Sequence, residues 1–188
     1  QESKEFISTN TVSAFMKKVM VRLEQERDQA TFLLDPHTEP KLRLILDAEL
    51  ISNHMKHIVE EGVVSMIQGD IYKDLSNMYT LMTRVDGGLD LLRLWMGKQV
   101  EALGKELVTS KKGEKVSKDT YEVFIQSLLD LKCKFDDMIQ KSFKSDKSFH
   151  KTMCKSFESF CNINNRTPQY LSLFVDQQLK HGLKGRTD

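Results

Sequence analysis

Apolar residues recur every three or four positions along almost the whole chain, and that spacing limits the fold more than any other feature of the sequence. Val12, Phe15, Met16, Val19, Met20, Leu23, Ala30, Leu33 and Leu34 form the first such stripe, with Lys17, Lys18, Arg22, Glu24 and Glu26 on the opposite side. A 3.6-residue period places these side chains on one face of a helix. Asn10 or Thr11 is suited to cap its start, and Asp35-Pro36 to end it, since a residue before proline avoids the helical region.

A second stripe (Leu42, Ile45, Ala48, Ile51, Met55, Ile58, Val59) begins after Thr38-Glu39-Pro40, with Gly62 expected to interrupt it near its end. An apolar patch at Val63, Val64, Met66 and Ile67 precedes Gly69-Asp70, which punctuates the chain again. Tyr72, Leu75, Met78, Tyr79, Met82 and Val85 predict another helix, broken at Asp86-Gly87-Gly88. Leu89, Leu92, Trp95, Met96, Val100, Leu103 and Leu107 predict a long one. The polar stretch 109–119 reads as a loop. Beyond it lie stripes at Tyr121–Ile139 and Phe149–Cys161, separated at Ser145-Asp146. The last stripe, Tyr170–Leu179, follows a Thr167-Pro168 cap and precedes Gly182, expected just past the helix end. The pattern predicts an all-α fold of roughly seven to nine helices joined by short connections, hence packed as sequential neighbours.

Composition agrees. With 39% hydrophobic and 29% charged residues the chain is globular rather than disordered, and 9 Gly with 3 Pro are too few for a turn-rich β architecture. Its 28 basic and 27 acidic residues leave a net charge of +1, which offers no electrostatic case for nucleic acid or a membrane surface. Three cysteines (Cys133, Cys154, Cys161) do not make a disulfide framework and suit a reducing compartment. No apolar run reaches the roughly 18 residues of a membrane span. Gln1-Glu2-Ser3-Lys4 resembles neither a signal peptide nor a natural start, and reads as the opening of a fragment.

No constellation of catalytic residues stands out. Gly87-Gly88 is an isolated pair at a helix start, read as a turn rather than an anion site. His54, His57, Glu60 and Glu61 are the best metal candidates, yet Ile51, Met55 and Ile58 claim the same helix for packing, so ordinary surface histidines are expected. Cys154 and Cys161, two turns apart among Phe157 and Phe160, are expected to be core residues. Glu24, Glu26, Asp28, Asp136 and Asp137 sit among lysines and arginines, which predicts solvated ion pairs. The methionines follow the apolar stripes and are read as packing, with a soft partner-binding groove as the other possibility. Lys111, Lys112, Lys115 and Lys118 form a basic cluster without the aromatic residues that base stacking needs. No catalytic, cofactor-binding or metal residue is therefore assigned, and no cofactor or small-molecule ligand is expected.

Residues 74–92 carry a more specific signal. They read Asp-Leu-Ser-Asn-Met-Tyr-Thr-Leu-Met-Thr-Arg-Val-Asp-Gly-Gly-Leu-Asp-Leu-Leu. This resembles the cullin pattern Asp-Leu-x-x-Met-Tyr-x-Leu-x-x-Arg-Val-x-x-Gly-Leu, with matches at Leu75, Met78, Tyr79, Leu81, Arg84, Val85, Gly88 and Leu89. The segments Ala48–Met55 and Ser127–Lys132 also resemble cullin helices, as does Phe135-Asp136. Arg166–Phe174 and Gly182–Gly185 are most similar to the cullin-3 branch of the family. One departure is the short Glu60-Glu61-Gly62 segment, where that branch tends to be slightly longer.

The resemblance implies an elongated stack of helical bundles, the cullin repeats. Residues 1–71 would be the second half of one repeat and residues 72–188 a complete following five-helix bundle. It implies a non-catalytic scaffold segment of a cullin-RING E3 ubiquitin ligase, a rigid spacer between the substrate-adaptor end and the RING end. The partners implied for the family are BTB-domain adaptors and a RING-box protein, both binding mainly outside these residues, so the adaptor-binding residues stay unknown. Cytoplasm and nucleus are the implied locations. If half a repeat is missing, the Val12–Leu23 stripe should be left partly uncovered near the N-terminal end. The alternative is a helical module that itself grips an adaptor or regulator.

Overall fold

The computed structural model describes residues 11–33, 35, 38–109 and 118–184, and every element among them is helical. In chain order these are α1 (Val12–Leu33), α2 (Glu39–Leu50), a 3-10 turn (Ser52–His54), α3 (Met55–Gln68), α4 (Tyr72–Met82), α5 (Gly88–Thr109), α6 (Lys118–Ser142), α7 (Lys147–Cys161) and α8 (Arg166–Lys184). They form two compact units, Gln1–Met96 with Gln140–Ser145, and Gly97–Ile139 with Asp146–Asp188.

Several local signals work as their chemistry requires. The Thr11 hydroxyl accepts from the Ala14 backbone N–H at 3.3 Å and so caps α1. Pro40 sits in the first turn of α2, where a missing N–H costs nothing. Asp146 is extended and accepts from the Ser148 backbone N–H at 2.8 Å, which starts α7. Gly87 takes a φ of +72 between α4 and α5.

In the first unit α1 packs against α2, α3 and α4, and α3 against α4. Phe15, Met16 and Val19 of α1 meet Ile58, Val59, Val63, Met66 and Ile67 of α3 and Leu75, Met78 and Met82 of α4 in a common interior. Phe15, Met16 and Val19 of the α1 stripe are covered, at 2%, 0% and 3% exposed, where an uncovered patch was expected, while Val12 and Met20 are half-buried. The second unit is built on larger rings. Phe135, Phe149 and Phe160 are fully buried, and Phe124 meets Tyr170 edge-on with centroids 5.4 Å apart.

Four expectations change. Residues 40–59 do not make one helix, because the chain tightens into the 3-10 turn at Ser52–His54, where His54 N–H bonds back to Ile51 O at 3.0 Å. Ser52, Asn53 and His54 are weak helix formers, which favours a break there. Gly62 does not interrupt α3 but lies buried inside it. A Cβ at Gly62 would come within 2.6 Å of the Met78 methyl and 2.9 Å of Val12, so a side chain there would push those two aside where α1, α3 and α4 meet. The α8 cap comes from Asn164, whose side-chain oxygen accepts from Arg166 N–H at 3.0 Å, while Thr167 is buried one residue inside the helix. Gly182 also falls within α8, which runs to Lys184. The centre of the 109–119 stretch and its lysines Lys111, Lys112 and Lys115 lie outside the described residues.

Candidate interaction surfaces

The run 74–92 is a packing device rather than a reactive site. Leu75, Met78 and Leu81 of α4 are buried, and Tyr79 is 8% exposed. Arg84, in the turn after α4, reaches back across 37 residues and donates from Nε to the Asp47 carboxylate of α2 at 2.8 Å. The Asp47 side chain is 10% exposed, so this pair ties α2 to α4 in a partly dry setting where losing either member strands a charge. Asp74, 8% exposed, faces the Lys17 ammonium of α1 at 3.6 Å. Gly88 opens α5 with its α-carbon so near Met82 that a Cβ would stand 2.5 Å from the Met82 carbonyl oxygen. Leu75, Met78, Tyr79, Leu81, Arg84 and Gly88 of the motif thus each have a steric or charge reason within the first unit.

The candidate metal residues are not brought together. His54 is buried and meets Phe15 edge-on at 5.5 Å, so it is a core histidine and not the surface residue expected. His57 lies half-exposed with Nδ1 3.2 Å from Glu61. Rotation at the 3-10 turn separates the two faces. Among the described residues no group of three or more His, Cys, Asp or Glu side chains is placed to hold a metal ion. Cys154 also departs from its expected place: it is exposed, and Cys161 is half-buried. Burial pushes the Cys161 thiol pKa above its ordinary value. The acidic residues do form surface ion pairs, Glu26 with Arg22 and Glu24 with Arg27. Asp136 pairs with Lys132.

What the described residues show instead is exposed apolar surface. A groove of about 590 Å³ runs between α1, α2 and α4, floored by Met20, Leu23, Leu42, Leu46 and Leu81. Lys17, Arg43 and Lys73 stand at its rim with Glu24 and Glu39. Beside it α2 exposes Leu44 and Ile45 at 67% and 60%, although the sequence pattern had placed Ile45 inward. Apolar residues occur all round α2, so periodicity alone could not orient it. In the second unit α8 turns Tyr170 inward and leaves Leu171, Val175 and Leu179 exposed at 50%, 47% and 59%. Steps of four put those three on one line, a second apolar face on a helix that already has one. Among the described residues no helix is long and apolar enough to cross a membrane.

The whole chain, residues 1–188, matches the family model of the cullin alpha solenoid domain. It is 42% identical to Cullin-3A of Arabidopsis thaliana over 100% of this chain and 25% of that protein. It is 37% identical to Cullin-3 of Dictyostelium discoideum over 98% of this chain and 24% of that protein. Cullin-1 of Dictyostelium discoideum is 31% identical over 95% of this chain and 24% of that protein. The chain spans about a quarter of the length of these curated relatives. An all-helical architecture among the described residues, a motif run with most of its signature residues packed or paired, and a family match over residues 1–188 make this chain a member of the cullin family.

Proposed function

We propose that this chain is a rigid spacer within the scaffold of a cullin-RING ubiquitin ligase, holding a BTB-type substrate adaptor at a fixed distance from a RING-box protein. The observation that carries this is the uncovered second apolar face on α2 and on α8. Helices in the interior of a stack present apolar surface to layers on two sides, whereas helices that cap a stack are polar outside. Leu44 with Ile45, and Leu171 with Val175 and Leu179, are surfaces for neighbouring helical layers. The repeat boundary falls at residues 71/72 in this reading, just after the Gly69-Asp70 turn, which leaves α4 to α8 as one repeat. Close-packed helix interfaces supply the stiffness. The setting is cytoplasm and nucleus.

The α1–α2–α4 groove favours a second reading, in which these residues themselves grip a helical partner. One experiment separates the two. Immobilised BTB adaptors are offered this 188-residue chain and, in parallel, a full-length relative of the cullin-3 type. A spacer gives capture of the full-length protein alone. Capture of the shorter chain would overturn the spacer reading and place the binding residues here.

A further inference from the structure

The α6–α7 hairpin gathers nucleophilic and charged side chains on its exposed face that play no part in packing or in the spacer role. Residues 143–146 join the two helices, which therefore run antiparallel. His150 Nε2 of α7 lies 3.7 Å from the Asp136 carboxylate of α6. That contact sets the register: each step back along α6 faces a step forward along α7. Counting one turn on from that contact in antiparallel register pairs position 133 of α6 with position 154 of α7. Both positions are free, exposed cysteines.

The two thiols share a polar setting. Cys154 Sγ lies 3.7 Å from His150 Nδ1, one turn back on its own helix. An imidazole at that distance can take the thiol proton and, once charged, stabilise the thiolate. The other ring nitrogen, Nε2, faces the Asp136 carboxylate, which orients the ring toward Cys154. Lys132 completes the cluster. Its ammonium pKa is raised chiefly by the hydrogen bond to Asp136, with smaller contributions from the charges of Asp136, Cys133 and Cys154, so both sulfurs lie within its field. Cys161 provides the contrast within the same helix, half-buried and held as a neutral thiol.

We propose that Cys133 and Cys154 are a peroxide-oxidised dithiol pair that closes to a disulfide across the α6–α7 hairpin. The Cys154 thiolate attacks a hydroperoxide oxygen. An S–O bond forms, the O–O bond breaks, and the departing oxygen takes the proton held on His150, leaving as water when the oxidant is hydrogen peroxide. Sulfur is oxidised by two electrons to sulfenic acid and the peroxide is reduced. The Cys133 thiolate then attacks the sulfenic sulfur. The S–S bond forms, the S–O bond breaks, and a second water leaves with the two remaining protons. The net change is two thiols and one hydrogen peroxide to one disulfide and two waters. The bond would fasten α6 to α7 on a face otherwise held by the exposed His150–Asp136 pair.

The test uses the intact chain at low concentration, treated with hydrogen peroxide, alkylated with iodoacetamide, digested without reduction and read by mass spectrometry. The expected product is a Cys133–Cys154 cross-linked peptide pair two hydrogens lighter than the free peptides, with Cys161 still alkylated and dithiothreitol reversing the change. His150→Gln should slow its appearance by roughly tenfold while leaving the helical circular dichroism signal unchanged, a modest effect because the pair is exposed. Cys133→Ser should trap Cys154 as sulfenic acid, captured by dimedone. Oxidation of all three cysteines at the same rate, an intermolecular dimer as the product, or wild-type speed in His150→Gln would each overturn the proposal.

Discussion

In the first unit two barely exposed carboxylates, Asp47 and Asp74, are each met by a cation from another part of the unit. In the second unit a helix crossing rests on absence: a Cβ on Gly104 of α5 would lie 2.3 Å from the Phe160 ring of α7, and one on Gly97, two turns earlier, 3.0 Å from Thr152. The Ser156 hydroxyl donates to the Gly97 carbonyl oxygen at 3.2 Å between those points. Charge pairs reach across a gap and are harmed by removing an atom. A glycine seat has no reach and is harmed by adding one. The Asp47 and Asp74 pairs and the Gly97–Gly104 seat should therefore respond to opposite kinds of substitution.

The comparison breaks most visibly in the aromatic interior. Phe135→Ala in α6, at a position 0% exposed, is expected to cost about 4 kcal/mol in denaturant unfolding, because the cavity cannot collapse between large rings. Gly104→Ala is expected to cost roughly 2–3 kcal/mol, since the Phe160 ring must leave its rotamer or the helices must part. Adding Phe160→Leu to that variant should recover a good share of the loss, and simple additivity of the two changes would sink the steric explanation. Asp47→Ala should cost about 2 kcal/mol by leaving Arg84 without its carboxylate, whereas the double change Asp47→Ala with Arg84→Met should cost less than Asp47→Ala alone. If the double variant is the weaker, the pair contributes net stability and not only a penalty when broken. Leu171→Gln with Val175→Gln should move stability by no more than about 0.5 kcal/mol, as both lie on the exposed face of α8. The same pair of changes should reduce self-association at high concentration, measured by analytical ultracentrifugation.

These regions were not equally legible in the sequence. α1 and α4 could be oriented because their apolar stripes face charged or polar residues, and Phe15, Met16, Leu75 and Met78 lie where the period puts them. α2 could not, since Leu42, Leu44, Ile45 and Leu46 surround most of it, and the deciding contact, Asp47 with Arg84, spans 37 residues. His54 was misread for a related reason: the 3-10 turn rotates it onto Phe15, and no local pattern announces that rotation. Cys154 lies at a spacing from Cys161 that suggests a shared face, but the buried face of α7 runs through Phe149, Met153, Ser156 and Phe160 and leaves Cys154 outside it. The surfaces that matter for the proposed role left no motif at all. The line of exposed Leu171, Val175 and Leu179 on α8 reads in sequence like any amphipathic stripe. Family resemblance, by contrast, was readable from the run 74–92 alone, because packing and pairing constrain nearly every residue in it.

The Gly104–Phe160 seat also has a mechanical meaning. A crossing filled by long, jointed side chains can creep under load as each one swings to a new angle. A crossing where backbone meets a ring has no such slack. Pushed along its axis, α7 would carry the force straight into α5, and could give way only by jumping to the next place where α5 lacks a side chain, two turns off at Gly97. A crossing seated in this way keeps its register under small forces and yields abruptly under large ones.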